Sequence, residues 1–196
     1  MQEISEFFKD LNLSPAQFQT LGAYVDLVWQ KKDDMNLTSV AHKKEIWARH
    51  ISDGLAAARL IKKLGAEGKT AVDIGAGAGY IGLTIAAALP EIKMTLIESL
   101  EKRAAFLRWA TLKLGLKNVS IVNERARAGV HETYDFALER AMGKFEDVLP
   151  ICLSYVQPGG KFIAFQSAET AGFTSEKYFL PRENKPRFLV IADGHN

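Results

Sequence analysis

The stretch Ala71-Val72-Asp73-Ile74-Gly75-Ala76-Gly77-Ala78-Gly79-Tyr80-Ile81-Gly82 constrains the fold more than any other in the chain. An apolar run carrying one acid gives way to alternating glycines, and a helical apolar spacing starts at Ile81. This is the sequence form of a buried strand, a tight turn and a helix N-terminus. Glycine has no Cβ, so the turn can reach φ > 0 and its backbone can approach a ligand closely. The helix that follows directs free N–H groups at the same place. In an open α/β sheet the ligand crevice lies at such strand ends.

Two ligand classes compete for this loop. Gly77-x-Gly79-x-x-Gly82, with Glu98 19 residues beyond Gly79, fits a dinucleotide fingerprint. Asp73, however, stands before the first glycine, where it would repel a pyrophosphate. It suits a ligand whose near end is cationic, such as the amino group of S-adenosylmethionine. The D-x-G-x-G-x-G pattern from Asp73 to Gly79, with Glu98 closing a second strand, resembles the class I methyltransferases. That resemblance implies S-adenosylmethionine as cofactor, held by Asp73, Gly75, Gly77, Gly79 and Glu98. Glu98, an acceptor-only carboxylate, suits the two ribose hydroxyls. Tyr80 reads as a cofactor contact, a stacking platform for a base, or an ordinary helix-start aromatic.

Length sets the scale. A chain of 196 residues fits one domain plus a modest extension. Hydrophobic content of 47% and charged content of 24% are ordinary for a globular protein. The net charge of +2 permits a nucleic-acid partner without demanding one. A single cysteine, Cys152, cannot form an internal disulfide, which fits a reducing, cytoplasmic setting. The four histidines have no metal-ligand spacing, so no metal is expected. No apolar run is long enough for a membrane span, the start carries no signal-peptide pattern, and a monomer is the favoured state.

Residues 1–69 read as a helical extension and 70–196 as a cofactor-binding core. Ser14-Pro15-Ala16-Gln17 is a strong helix start, with a capping box and proline at the first position. Phe18, Leu21, Val25 and Val28 recur at helical spacing. Lys31-Lys32-Asp33-Asp34 reads as a polar break. A second helix carries Ile46, Ile51, Leu55, Ala58 and Ile61, and ends at Gly65. Ten Lys/Arg against nine Asp/Glu over residues 1–69 argue against a basic nucleic-acid arm.

Within this region Asn36-Leu37-Thr38 and Arg49-His50-Ile51-Ser52-Asp53 are distinctive. Together with the glycine loop and Glu98-Ser99-Leu100-x-Lys102-Arg103-x-x-Phe106-Leu107, they resemble the RsmG (GidB) family. The resemblance runs from about Phe18 to Gln166. That family methylates N7 of a guanine in small-subunit (16S) ribosomal RNA. It implies a class I methyltransferase Rossmann-like fold: a mostly parallel twisted sheet, helices on both faces, and an N-terminal helical extension. Arg49 and His50 then become candidates for RNA contact; the bland reading is an ion-paired helix end.

Downstream, Met94–Glu98, Val119–Val122, Tyr134–Leu138, Lys161–Gln166 and Phe188–Ile191 read as strands, Ser99 as a helix cap, Asp147–Tyr155 as a helix and Pro158-Gly159-Gly160 as a turn. By the resemblance, Ala126 and Arg127 line the adenine pocket, Arg125 holds that loop and touches RNA, and Arg140 lies between cofactor and target as the positioning residue. Left to itself, Arg140 could equally be the ion-pair partner of Glu139, Asp73 or Glu98. The chain departs from the family pattern at four places: Tyr80-Ile81-Gly82-Leu83-Thr84 replaces a proline-rich sequence, Arg127 an acid, Glu139 a serine and Gln166 a lysine. Alternatives are a methyltransferase for a small molecule or protein, a dinucleotide-dependent dehydrogenase, and a non-catalytic RNA-binding assembly factor.

Overall fold

A computed structural model describes residues 2–129 and 132–194. His131 and His195, two of the four histidines considered above, lie outside the described residues. Seven strands form one sheet: β1 (Thr70–Ile74), β2 (Lys93–Ile97), β3 (Val119–Val122), β4 (Tyr134–Glu139), β5 (Val156–Gln166), β6 (Thr174–Tyr178) and β7 (Arg187–Asp193). Their order is β3-β2-β1-β4-β5-β7-β6. The first five are parallel, and β7 runs antiparallel to both β5 and β6. Strand order reverses between β1 and β4, and Asp73 pairs there with Leu96 on one side and Leu138 on the other. In such a sheet the switch point opens a crevice at the strands' C-terminal ends.

Helices cover both faces. On one, α2 (Pro15–Met35), α4 (Ser52–Leu64), α5 (Gly82–Ala88) and α6 (Glu101–Leu114) share a core in which Leu21, Leu55, Ile85, Leu107 and Leu138 are fully buried. On the other, α7 (Phe145–Leu153) packs Phe145 and Cys152 against Val72, Ala137 and Phe162. A short α1 (Gln2–Phe7) also contributes Ile4 to the first core. The helical region before β1 is therefore part of the main core and not an appendage.

The start of α2 follows its sequence. Ser14 Oγ accepts from the Gln17 N–H at 3.3 Å, and Gln17 Oε1 accepts from the Ser14 N–H at 2.8 Å. Gln17 Nε2 also donates to the carbonyls of Ala87 and Ala88, tying the cap of α2 to the last turn of α5. The polar run Lys31–Asp34 does not break this helix as expected. Its charges sit on the outer side, where Lys31 pairs with Asp34 at 3.7 Å and Lys32 lies 5.1 Å from the Trp29 ring. The stop comes at Asn36, in the left-handed conformation (φ 49°).

Three further expectations are corrected. Ser99 caps nothing: α6 starts after Leu100, whose N–H is taken by Glu98. Pro158-Gly159-Gly160 is absorbed into β5, where the pairing with β4 slips between Tyr134 and Phe136. Gly160 is needed there for contact, since a Cβ would stand 2.7 Å from the Asp135 carbonyl. Finally, β6 stands where the sequence reading placed no strand; Thr-Ser-Glu-Lys-Tyr pairs only with β7 and buries only Tyr178, so an edge strand needs no apolar alternation.

Gly54 sets the distance between α4 and α5. A Cβ there would stand 2.6 Å from Thr84 Cβ and 2.8 Å from the Tyr80 carbonyl oxygen. Overpacking of this kind costs about 1–3 kcal/mol, against about 1 kcal/mol that alanine gains in a helix interior. The backbone oxygen cannot give way, so Gly54→Ala is expected to lower the denaturation midpoint in urea. A midpoint equal to or above that of the parent would show that the two helices part freely.

Candidate functional site

The glycine loop leaves β1 at the switch point. Gly79 requires glycine on two counts: φ is +84°, and a Cβ would meet Leu107 Cδ2 at 2.6 Å. At Gly77 the nearest atom to a Cβ would be the Gly75 carbonyl at 3.9 Å, so that part of the loop borders open space. Four contacts fix the loop. Glu98 Oε2 accepts from the Gly77 N–H and Oε1 from the Leu100 N–H, both at 2.8 Å. Asp73 Oδ2 accepts from the Gly82 N–H at 2.7 Å, at the start of α5. The buried Tyr24 hydroxyl, from α2, donates to the Ala78 carbonyl at 2.7 Å.

Asp73 is 2% exposed. Burial pushes its carboxyl up to about 6, against the opposing pull of the Gly82 hydrogen bond and of Arg140. Ionised, it is a charge looking for a cationic partner. Glu98 is 4% exposed, and both of its oxygens are already engaged with backbone. Its visible task is therefore to hold the loop, and any ligand hydroxyl must use its remaining lone pairs.

Three cavities meet around this loop. The first, about 300 Å³, is bordered by Asp73, Gly75, Gly77, Tyr80, Arg103 and Arg140. The second, about 460 Å³, lies on the other side of Gly75 and is bordered by Ile97, Glu124, Arg125, Ala126, Met142 and Ile151. The third, about 340 Å³, shares Arg140 and Ala141 with the first and adds Glu139, Phe165, Gln166, Lys185 and Arg187. A larger cavity of about 510 Å³ sits away from the loop, between α4 and β6. Of its charges, Arg59 is paired with Asp10 and Lys63 with Glu176, and Lys62 donates to the Leu11 carbonyl.

Arg140 stands where the first and third cavities meet. Its partner is neither Glu139, Asp73 nor Glu98, as sequence reading allowed, but Asp53, at 3.0 Å. Asp53 is 2% exposed. It also accepts from the Tyr178 hydroxyl at 2.8 Å, and Arg187 Nη1 lies 3.5 Å away. The Arg140 guanidinium lies 5.5 Å from the Tyr80 ring centroid, and His50 stacks on the same Tyr80 ring at 4.2 Å. Arg140 Nη1 is 3.3 Å from His50 Nδ1. Arginine can only donate, so Nδ1 accepts and the ring proton sits on Nε2. Burial first, then the Arg140 charge, push His50 down to about 3, which makes it a neutral ring and not a proton carrier near neutral pH.

The local backbone explains this convergence. A single turn, α3 (Lys43–Glu45), runs into a π-helical stretch at Ile46–Ile51 and then into α4. The wider turn re-aims side chains, a feature common at functional sites. Arg49 is turned outward, 3.6 Å from Glu183 and 4.0 Å from Glu45, and borders none of the three cavities. Leu37 and Thr38 border the first cavity, and Arg103, also on its border, donates from Nη2 to the adjacent Asn36 carbonyl at 3.1 Å.

After β3, Arg125 and Ala126 border the second cavity, whereas Arg127 is exposed and outside it. The cavity border thus carries Arg125 and Ala126 where Ala126 and Arg127 were expected. Sequence reading did not find Arg103, Phe165, Lys185 or Arg187. Among the described residues no helix is long and apolar enough to cross a membrane, and no three His, Cys, Asp or Glu side chains gather as a metal site.

Comparison with known proteins then adds a family. Residues 17–180 match the family described as GidB, rRNA small subunit methyltransferase G. The Ribosomal RNA small subunit methyltransferase G of Limosilactobacillus reuteri (strain DSM 20016) is 33% identical over 164 residues, covering 81% of this chain and 68% of the relative. That of Bacillus subtilis (strain 168) is 33% identical over 165 residues, covering 82% and 68%. That of Levilactobacillus brevis is 28% identical over 205 residues, covering 93% and 85%. Among solved structures, a SAM dependent methyltransferase from Aquifex aeolicus superposes with a TM-score of 0.54 at 18% identity, covering 74% of this chain and 92% of that one. A methyltransferase from Pyrococcus furiosus gives 0.56 at 16% identity, covering 72% and 83%. At such identities the structures speak to fold alone.

Proposed function

The chain belongs to the GidB family of small-subunit ribosomal RNA methyltransferases, and from that premise we propose that it methylates N7 of a guanine in 16S ribosomal RNA. It is an S-adenosylmethionine-dependent methyltransferase. The observation that supports the assignment of roles is the meeting of two cavities at Arg140 and Ala141, one over the glycine loop and one toward Phe165 and Gln166.

The residues present fit the cofactor. The loop leaves open space at Gly77, and the buried Asp73 carboxylate borders the same cavity. In this reading Asp73 faces the amino group of the methionine end, Gly75, Gly77 and Gly79 give backbone room, and Tyr80 forms a wall. Glu98 steadies the loop beside the ribose, and Ala126 with Arg125 borders the adenine. When bound, S-adenosylmethionine supplies a methyl group activated by the positive charge on sulfur.

The chain's own task is alignment. Guanine N7 carries a free lone pair and no proton, so no general base is required. The protein has to hold the acceptor atom in line, about 3–3.5 Å from the methyl carbon. Arg140 sits at the junction, fixed by Asp53 and packed by Tyr80 and His50. Phe165 is half-buried at the acceptor side, a surface on which an extruded base could stack. In this reading a monomer is the working unit, acting in the cytoplasm where ribosomal subunits are made.

The test is methyl transfer from labelled S-adenosylmethionine to 16S RNA and to small subunits. Label at one guanine, released by the strand scission that N7-methylguanine undergoes with aniline, is the expected result. Label on another base or atom, or on protein alone, would overturn the reading.

A further inference from the structure

Glu139 ends β4 at the floor of the acceptor-side cavity, paired in register with Ile74 of β1 and Ala164 of β5. It is 1% exposed. One oxygen, Oε1, accepts from the Met142 N–H at 2.5 Å. The other, Oε2, is buried and has no hydrogen-bond partner among the described residues. A buried carboxylate with an idle oxygen is costly unless something charged or hydrogen-bonding arrives to meet it.

No fixed cation claims this charge. The charged and titratable neighbours that act on Glu139 or feel it are Arg140 on β4, Asp73 on β1 and Cys152 on α7. Of these only Arg140 is positive, and its Nη1 is committed to Asp53. Burial accordingly pushes the Glu139 carboxyl up from its ordinary range. Next to it Ala141 has a φ of +65°, a strained conformation for a residue with a Cβ. The hydrogen bond from Met142 to Glu139 closes that turn.

We infer that Glu139 is the acceptor-side counter-charge of the methyl transfer, the group that stabilises the cation formed on the purine. The inference rests on the N7-guanine reading above. In that reaction the N7–CH₃ bond forms as the S–CH₃ bond breaks, and the S–C electron pair stays on sulfur. The positive charge passes from sulfur to the base, and no proton moves. A negative charge fixed beneath the acceptor cavity is worth more to the product-like transition state than to the neutral guanine, which is the condition for acceleration. The plain structural role, holding the Met142 turn, predicts something different.

The experiment compares Glu139→Gln, Glu139→Asp and the parent enzyme on 16S RNA. Glutamine keeps an oxygen for the Met142 N–H and loses the charge; aspartate keeps the charge and shortens the reach. If charge is the point, kcat falls about tenfold in Glu139→Gln and less in Glu139→Asp. Calorimetric affinity for S-adenosylmethionine stays within threefold, and the parent is expected to bind N7-methylated RNA more tightly than unmethylated RNA, a difference that disappears in the glutamine variant. A kcat within twofold of the parent for Glu139→Gln, or an aspartate variant worse than the glutamine one, would overturn the inference. So would a loss of cofactor affinity equal to the loss of rate, since the carboxylate would then be serving sulfur. Absence of any transfer by the parent enzyme would sink the underlying reading instead, and the inference with it.

Discussion

Asp73→Asn is expected to weaken S-adenosylmethionine binding about 100-fold while leaving the fold intact. The side chain has two separate tasks, a backbone cap and a charge. Oδ2 accepts from the Gly82 N–H at 2.7 Å, and an asparagine oxygen can do the same. What asparagine lacks is the charge, and hydrogen bonds to charged groups contribute about 1.5–3 kcal/mol, the upper end being about 100-fold. Asp73→Ala removes both functions. It leaves the Gly82 N–H unpaired inside the protein, at a further cost of about 1–3 kcal/mol, so its melting temperature falls as well. Calorimetric titration reads the affinity and thermal unfolding the cap. An asparagine variant that binds like the parent would show that the carboxylate meets no cation.

The same carboxyl makes binding depend on pH. Its folded-state value is pushed up to about 6 by burial, above about 3.9 for an unfolded aspartate. As pH falls through 6 the charge is lost, and affinity is expected to drop about tenfold by pH 5 relative to pH 7.5. Stability moves the other way. A raised folded-state value means that the ligand-free protein holds its proton more tightly than the unfolded chain does. This contribution is fully present below about 3.9 and is lost as pH rises through about 6. Asp73→Asn should flatten both dependences.

The strand-loop-helix at Asp73 to Gly82 was legible in the sequence because its physics is local. The glycines and the acid all act within about ten residues, and the strand pairing that surrounds them follows from short apolar runs. The Ser14–Gln17 box is local in the same way, and its hydrogen bonds appear as written. Where the reading failed, the deciding partner was distant or the pattern silent. Lys31–Asp34 looks like a break, but charges on the solvent side of a helix are compatible with it. β6 is an edge strand whose residues carry no alternation, and only its pairing with β7 reveals it.

The site divides along the same line. Residues demanded by backbone conformation, such as Gly79 with its φ of +84°, announce themselves. Residues that hold other residues do not. Glu98 reads as a ligand acceptor, yet one of its oxygens holds the loop at Gly77 and the other the Leu100 N–H before α6. Asp53 and Arg140 are 87 residues apart, and the groups that complete their cluster, Tyr178 and Arg187, lie before the Phe188–Ile191 strand, where the sequence reading assigned no element. The spacing of His50 and Asp53, one helical turn apart, was the one available hint that they share a face.

Asp53→Ala is therefore expected to be the most damaging change outside the glycine loop. Its carboxylate is 2% exposed and holds Arg140 at 3.0 Å while accepting from Tyr178 and standing 3.5 Å from Arg187. Breaking a buried pair costs about 3–5 kcal/mol because the partner charge is left without compensation. Here the lower end, about 3 kcal/mol, applies, since the Arg140 side chain is 21% exposed and can turn toward water. That turning is the functional injury. Arg140 leaves its place between the two cavities and its contact with Tyr80, and a displacement of about 1 Å in a positioning group can cost about 100-fold in rate. The rate of methyl transfer to 16S RNA should fall by that order, while affinity for S-adenosylmethionine stays within about threefold, because Asp53 borders the acceptor cavity and not the one over the glycine loop. Tyr178→Phe supplies the contrast. It removes one hydrogen bond to Asp53, worth about 1 kcal/mol, and leaves the Arg140 pair in place, so stability should drop slightly and rate by less than tenfold. Equal losses in the two variants would mean that the hydroxyl, and not the charge pair, holds the arginine in position.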